Sequence, residues 1–207
     1  MARPRTLTDD QIAAAALAIV DRDGIAALSM RTVAQQLGTG TMSLYRYVAG
    51  REDIEKLVVE RVLGAVNTRV PETATWRQRS TVLTERIREA VGMHSGVVSL
   101  VMAHRHSSQA VKRCTEALLR ALTDAGFSGK PRVIALRTLV AFLNGTLVSQ
   151  HHGPLPGAGT QILASMQNPD FPLMAETARD AQRVTSCEEF RKGLAVVLDG
   201  IEAMLAD

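Results

Sequence analysis

The chain has 207 residues, room for one small and one medium domain, and 46% of them are hydrophobic while only 3% are aromatic. Its core must therefore be built from Ala, Leu, Val and Ile, a composition that favours helices. The formal net charge is only +3, which excludes arguing for a nucleic-acid partner from the total and leaves the placement of basic residues to decide it.

Two cysteines, Cys114 and Cys187, read as buried small apolar groups. The expected absence of a secretory leader and of a bilayer-length apolar run points to a cytoplasmic chain without a membrane partner. In chain order, Met1 to Thr6 carries Arg3 and Arg5 around Pro4 with no acid, either a basic arm that reaches phosphates or a plain terminus. Thr8 and Gln11 have capping-box spacing, and Ile12, Ala16, Ile19 and Val20 continue an inner stripe toward Gly24. This predicts the first helix.

Ser29 is a good N-cap, Val33, Ala34 and Leu37 have the spacing of a buried helical face, and Gly38 can take the left-handed conformation that stops a helix. After Thr39-Gly40 the run Thr41 to Val48 resumes a helical pattern, with Leu44 and Val48 on its inward side. Two short helices across a tight glycine turn must cross closely, and Ala34, Gly38 and Leu44 supply the small contact, the corner and the anchor. This is a helix-turn-helix arrangement, whose second helix lies in a DNA major groove. Its outward residues would be Thr41, Met42, Ser43, Tyr45, Arg46 and Tyr47, and the interval Gly24 to Arg51 holds three arginines and no acid.

With these residues in place the stretch resembles the DNA-binding domain of the TetR family of bacterial transcriptional repressors, on the tetracycline-repressor-like branch. Gly38, Leu44-Tyr45, Ala49-Gly50 and Arg51 match the family pattern of glycine-ended second helix, recognition helix, small-residue turn and basic opening of the next helix. Val48 replaces the usual aromatic, and Gly40 stands where a capping Ser or Thr is common. The resemblance implies a homodimer on palindromic double-stranded operator DNA, released when a small molecule binds the C-terminal domain. Arg31, Thr41, Ser43 and Tyr45 match positions of family DNA contacts. Arg51 would touch phosphate only, with Tyr47 packed along the backbone.

From Arg51 the apolar pattern Ile54, Leu57, Val58, Val62, Leu63 and Val66 runs toward Pro71, which predicts a lever helix of about twenty residues, roughly 30 Å long. Further helices are expected near 76–92, 95–104, 108–125, 131–152, 172–183 and 187–206, without strand-like alternation. The fold class is all-α: a DNA-binding domain over 1–50, joined by the long helix to an effector-binding and dimerisation domain over 51–207. Leu136, Leu139, Leu143 and Leu147, and Phe190, Leu194, Val197, Ile201 and Leu205, form stripes that either pair two subunits or fill the monomer core.

No His-Glu-x-x-His, phosphate loop, Cys-x-x-Cys or nucleophile elbow occurs, so enzyme chemistry has no residue set to stand on and no cofactor is expected. His104/His106 and His151/His152 are spaced too closely to chelate a metal within one helix. The resemblance places Ser149 where tetracycline-binding members carry a metal-anchoring Glu, so magnesium-drug chemistry is not expected. The polar residues set in apolar helical stretches, Asn67, His104, Asn144, Thr146 and Gln150, are the candidate effector contacts for a lipophilic ligand. Segments 153–159 and 168–172 read either as covers for such a pocket or as surface connections.

Overall fold

A computed structural model describes residues 7–94 and 96–205, so the basic arm Met1 to Thr6 lies outside the described residues. Among these residues there are helices and no strand. They are α1 (Asp9–Asp23), a 3-10 turn (Ile25–Ala27), α2 (Met30–Gln36), α3 (Thr41–Leu44), α4 (Arg51–Gly64), α5 (Trp76–Gly92), α6 (Val97–Ala103), α7 (Gln109–Asp124), α8 (Gly129–His152), α9 (Ala158–Ala164), α10 (Pro172–Ala181) and α11 (Ser186–Ala203). They form two compact units, one ending at Ala121 and the other beginning at Leu122.

In the first unit, the Thr8 hydroxyl accepts from Gln11 N while the Gln11 side chain accepts from Thr8 N, so α1 opens with the expected capping box. Its inner face, Ile12, Ala16, Ile19 and Val20, is buried together with Leu28, Val33, Ala34, Leu44 and Val48. Ile54, Val58, Val59 and Val62 of α4 are buried as well, and α4 packs on α1, α5 and α6. Each such aliphatic group removed from water is worth about 1.5–3 kcal/mol, so α4 is held mainly by its apolar face. At the start of α6, Gly96 lies so close to Val20 of α1 that an added Cβ would fall 2.7 Å from its methyl.

Two helices are shorter than the sequence predicts. α4 ends at Gly64 after fourteen residues, roughly 21 Å rather than 30 Å. Past it, Asn67 is exposed and its side-chain oxygen accepts from Arg69 N, forming a turn, while Arg86 of α5 donates to the carbonyls of Asn67 and Arg69. The polar run before Pro71 is thus stabilised as a turn. α3 is α-helical only over Thr41–Leu44 and passes into a turn through Tyr47, where Tyr47 N bonds to Leu44 O at 2.9 Å. Gly40 provides no side-chain cap, and Tyr45, Tyr47 and Val48 are poor helix formers, so nothing local extends it.

In the second unit α8 and α11 lie antiparallel: Gln150 Nε2 donates to Ser186 O, and Phe142 meets Phe190 and Gly193 farther along. The rings of Phe142 and Phe190 are 5.5 Å apart. Gly193 is required there, because a Cβ would sit 2.9 Å from the Phe142 ring. Leu139, Leu143 and Leu147, with Phe190, Leu194 and Ile201, are buried within this one chain. These six side chains belong to the core of the monomer. Leu136 and Val197 are half-buried and Leu205 is exposed.

The outer sides of the same helices carry exposed Ala141, Gly145 and Val148 on α8, and Val196, Gly200 and Ala203 on α11. Within Gly129–His151 of α8 a stretch reaches a mean hydropathy of 1.4, so by length and composition the helix meets the requirements of a bilayer span. The expectation that no run is long enough is therefore corrected; a central helix of an all-helical domain has the same length and composition. The connection after Gly153 also differs from expectation. It forms α9, which packs on α10 and leaves Ile162, Leu173 and Met174 exposed.

Candidate nucleic-acid interface

The corner is built by backbone hydrogen bonds over a few residues. Ser29 and Thr32 form a reciprocal capping box at the start of α2. Gly38 ends α2 at φ 64, Thr39 N reaches back to Ala34 O at 2.9 Å, and Gly38 N reaches Gln35 O at 3.1 Å. That is the paired closure in which a left-handed glycine satisfies the last carbonyls of a helix. Leu44, fully buried, anchors α3 beneath it.

With Leu44 turned inward, the expected reading residues lie on the outer side. Met42 is 79% exposed, Tyr45 and Arg46 are exposed, and Thr41, Ser43 and Tyr47 are half-buried. Arg31 of α2 is exposed too. The Arg46 guanidinium lies 5.9 Å from the centre of the Tyr47 ring, within cation–π range. The Tyr47 hydroxyl accepts from Leu7 N at 3.4 Å and keeps its own proton to donate. At the start of α4, Asp53 accepts from Ala49 N, and Arg51 donates from Nε to Glu55 at 2.7 Å and from Nη2 to Ile25 O at 3.2 Å.

Sequence reasoning passed over the acids of α4 that tie it to its neighbours. Glu55 accepts from Arg51 and from His104, which closes α6. Burial raises the Glu55 carboxyl, but hydrogen bonds from His104 and Arg51, with their charges, outweigh it and hold the group below its ordinary value. Glu60 accepts from the Ser108 hydroxyl at 2.6 Å and from Ala110 N at 3.1 Å, so a carboxylate of α4 occupies the start of α7. Burial raises Glu60 too; these bonds, with Gln109 N and Arg113, lower it further than burial raises it. The i, i+4 spacing of Arg51 and Glu55 was the one signal in the sequence.

The candidate effector residues fall in both units. Asn67 is in the exposed turn after α4, and His104 is buried against Glu55. In the second unit, Thr146 is buried and donates to Phe142 O, half-buried Gln150 donates to Ser186 O, and Asn144 is half-buried. A groove of 530 Å³ lies elsewhere in the first unit, lined by Leu17, Val62, Ala65, Ala90 and Met93 and edged by the Asp10–Arg61 pair and His94. Of the thiols, Cys114 is buried, which pushes it up to about 11, whereas Cys187 is exposed, contrary to expectation. The position of Cys187 on the outer side of α11 accounts for this.

A glycine-cornered helix pair presenting hydroxyls, aromatics and cations outward, in an all-helical chain, defines a helix-turn-helix DNA-binding regulator. Residues 70–205 match the family model of the tetracyclin repressor-like C-terminal domain. The chain belongs to this TetR family of ligand-responsive, DNA-binding transcriptional repressors, and it is a regulator, not an enzyme.

The chain is 27% identical to the HTH-type transcriptional repressor DrrR1 of Streptomyces coeruleorubidus, over 97% of this chain and 79% of that protein. It is 26% identical to the class E tetracycline repressor protein of Escherichia coli, over 96% and 92%. The crystal structure of apo ActR from Streptomyces coelicolor superposes with a TM-score of 0.80 at 26% identity, covering 98% of this chain and 97% of that one. ActR has also been solved in complex with actinorhodin.

Proposed function

We propose that this chain is a cytoplasmic, homodimeric repressor that holds a palindromic operator through residues 1–50 and lets go when a lipophilic small molecule binds within residues 51–207. The observation that carries this reading is the corner itself: Leu44 buried beneath a closed glycine turn, with Thr41, Met42, Ser43, Tyr45 and Arg46 on the side away from it. Thr41, Ser43, Tyr45 and Arg31 read base edges, while Arg51 and Tyr47 hold phosphate. Asn67, His104, Asn144, Thr146 and Gln150 remain the candidate effector contacts. The dimer forms through the outer side of α8 and α11, where Ala141, Gly145, Val148, Val196, Gly200 and Ala203 offer small apolar surface that one chain leaves uncovered.

The test begins with a duplex selected by the wild-type protein from a randomised pool. A melting screen over lipophilic metabolites and drugs, with actinorhodin included, then identifies compounds that bind the folded state. A compound that binds should weaken operator affinity by the same factor by which operator weakens its own affinity. Tight binding with unchanged operator affinity would refute release by ligand. Failure to enrich any duplex would refute the DNA-reading assignment.

A further inference from the structure

Arg51, Glu55 and His104 form one chain of hydrogen bonds across three elements of the first unit. The His104 side chain, 7% exposed at the end of α6, gives its Nε2 proton to Glu55 Oε2 at 2.9 Å. A carboxylate only accepts, so Nε2 carries the proton of this bond. The other oxygen, Oε1, accepts from Arg51 Nε at 2.7 Å, and Arg51 Nη2 continues to Ile25 O in the turn between α1 and α2.

The guanidinium of Arg51, nearly half exposed, is thereby fixed at two of its nitrogens and keeps its remaining donors for an outside acceptor. A long cationic side chain on a surface ordinarily loses rotamer freedom when it grips phosphate; one already held from behind loses less. His104 satisfies the inner oxygen of Glu55, and with that oxygen held the carboxylate is oriented so that the other meets Arg51. The opposite sign has a physical basis as well, since a carboxylate beside a DNA backbone repels phosphate. Glu55, only 16% exposed and bound through its second oxygen to α6, is placed to hold rather than to repel.

We infer that His104 is a positioning residue for DNA binding, holding Arg51 through Glu55 in the orientation that meets a phosphate. This rests on the reading of Arg51 as a phosphate contact. It gives α6 a polar route to the DNA-reading corner, separate from packing: a ligand group that drew the His104 proton away from Glu55 would loosen Arg51.

The experiment measures affinity for the selected duplex across a salt series, with full-length Arg51→Ala, Glu55→Ala, His104→Leu, His104→Gln and the double variant Arg51→Ala/His104→Leu. Arg51→Ala should weaken binding about tenfold and reduce the salt slope by about one. His104→Leu and Glu55→Ala should each lose several-fold with the same drop in slope. His104→Gln, whose amide can donate to Glu55, should restore most of it, and His104→Leu should add nothing once Arg51 is gone.

An unchanged salt slope for Arg51→Ala would sink the phosphate reading itself. A normal Arg51→Ala result combined with a His104→Leu loss that persists in the Arg51→Ala background, or with tighter binding by Glu55→Ala, would overturn the positioning role alone. Should His104→Leu fail to fold, Glu55→Ala alone and combined with Arg51→Ala completes the same cycle.

Discussion

In the corner around α2 and α3, the bonds that set the geometry join residues a turn apart: Ser29 with Thr32, Ala34 with Thr39, Gln35 with Gly38. In the α8–α11 pair the deciding contacts join residues far apart in the chain, such as Phe142 with Gly193 and Gln150 with Ser186. The corner is therefore encoded locally and has one inward direction, marked by Leu44. The helix pair is apolar on several sides, and only its assembly decides which side becomes core. A stripe of leucines identifies a buried face but not what buries it.

The largest expected effect breaks this contrast at the helix pair. Leu194, 1% exposed, and Val196, 70% exposed, stand two residues apart on α11. Leu194→Asp should unfold the second unit, at a cost on the order of 4–5 kcal/mol for an unpaired buried charge, seen as loss of helical circular dichroism. Val196→Asp should keep its helicity and run as a monomer in light scattering. A folded, dimeric Val196→Asp protein would place the subunit contact on another surface.

The next effect sharpens the corner. Leu44→Ala should destabilise the first unit by roughly 2–5 kcal/mol in thermal unfolding and lose operator binding with it. Met42→Ala should leave stability within about 0.5 kcal/mol while shifting preference among operator variants. Equal stability losses for the two would mean that α3 does not turn Leu44 inward and Met42 outward.

The smallest effect concerns Glu60, which ties α4 to the start of α7. Its folded carboxyl titrates below its ordinary value of 4.5, so its contribution is present above that value and fades as pH falls through the folded one. Glu60→Gln should flatten the acid limb of the stability profile below about pH 4.5 and leave the shape near neutrality unchanged. An acid limb as steep as wild type would assign the acid sensitivity to other carboxylates.

Much of the architecture was legible because its signals are short-range. The capping box at Thr8, the N-cap at Ser29 and the stop at Gly38 appear as expected, and the helix expected over 76–92 is found at Trp76–Gly92, opened by Thr75 with Gln78. Apolar periodicity alone overextended α4, because Val66 continues the stripe although the helix has ended at Gly64 and the carbonyls of Asn67 and Arg69 beyond it accept from Arg86 of α5. α9 was missed because glycine and proline around it outweighed two helical turns of pattern.

Local spacing in this sequence was sufficient to determine an all-helical chain, the glycine-closed corner and the residues on its outer side, since caps, turns and buried anchors act within one or two helical turns. Tertiary structure alone decided that Leu143 and Leu194 are buried inside one chain while Val148 and Val196 stay outside, and that His104 meets Glu55 rather than water. Those outcomes depend on the partner an apolar face or a buried polar group finds across the fold, and such long-range pairing leaves no periodic mark in the residues themselves.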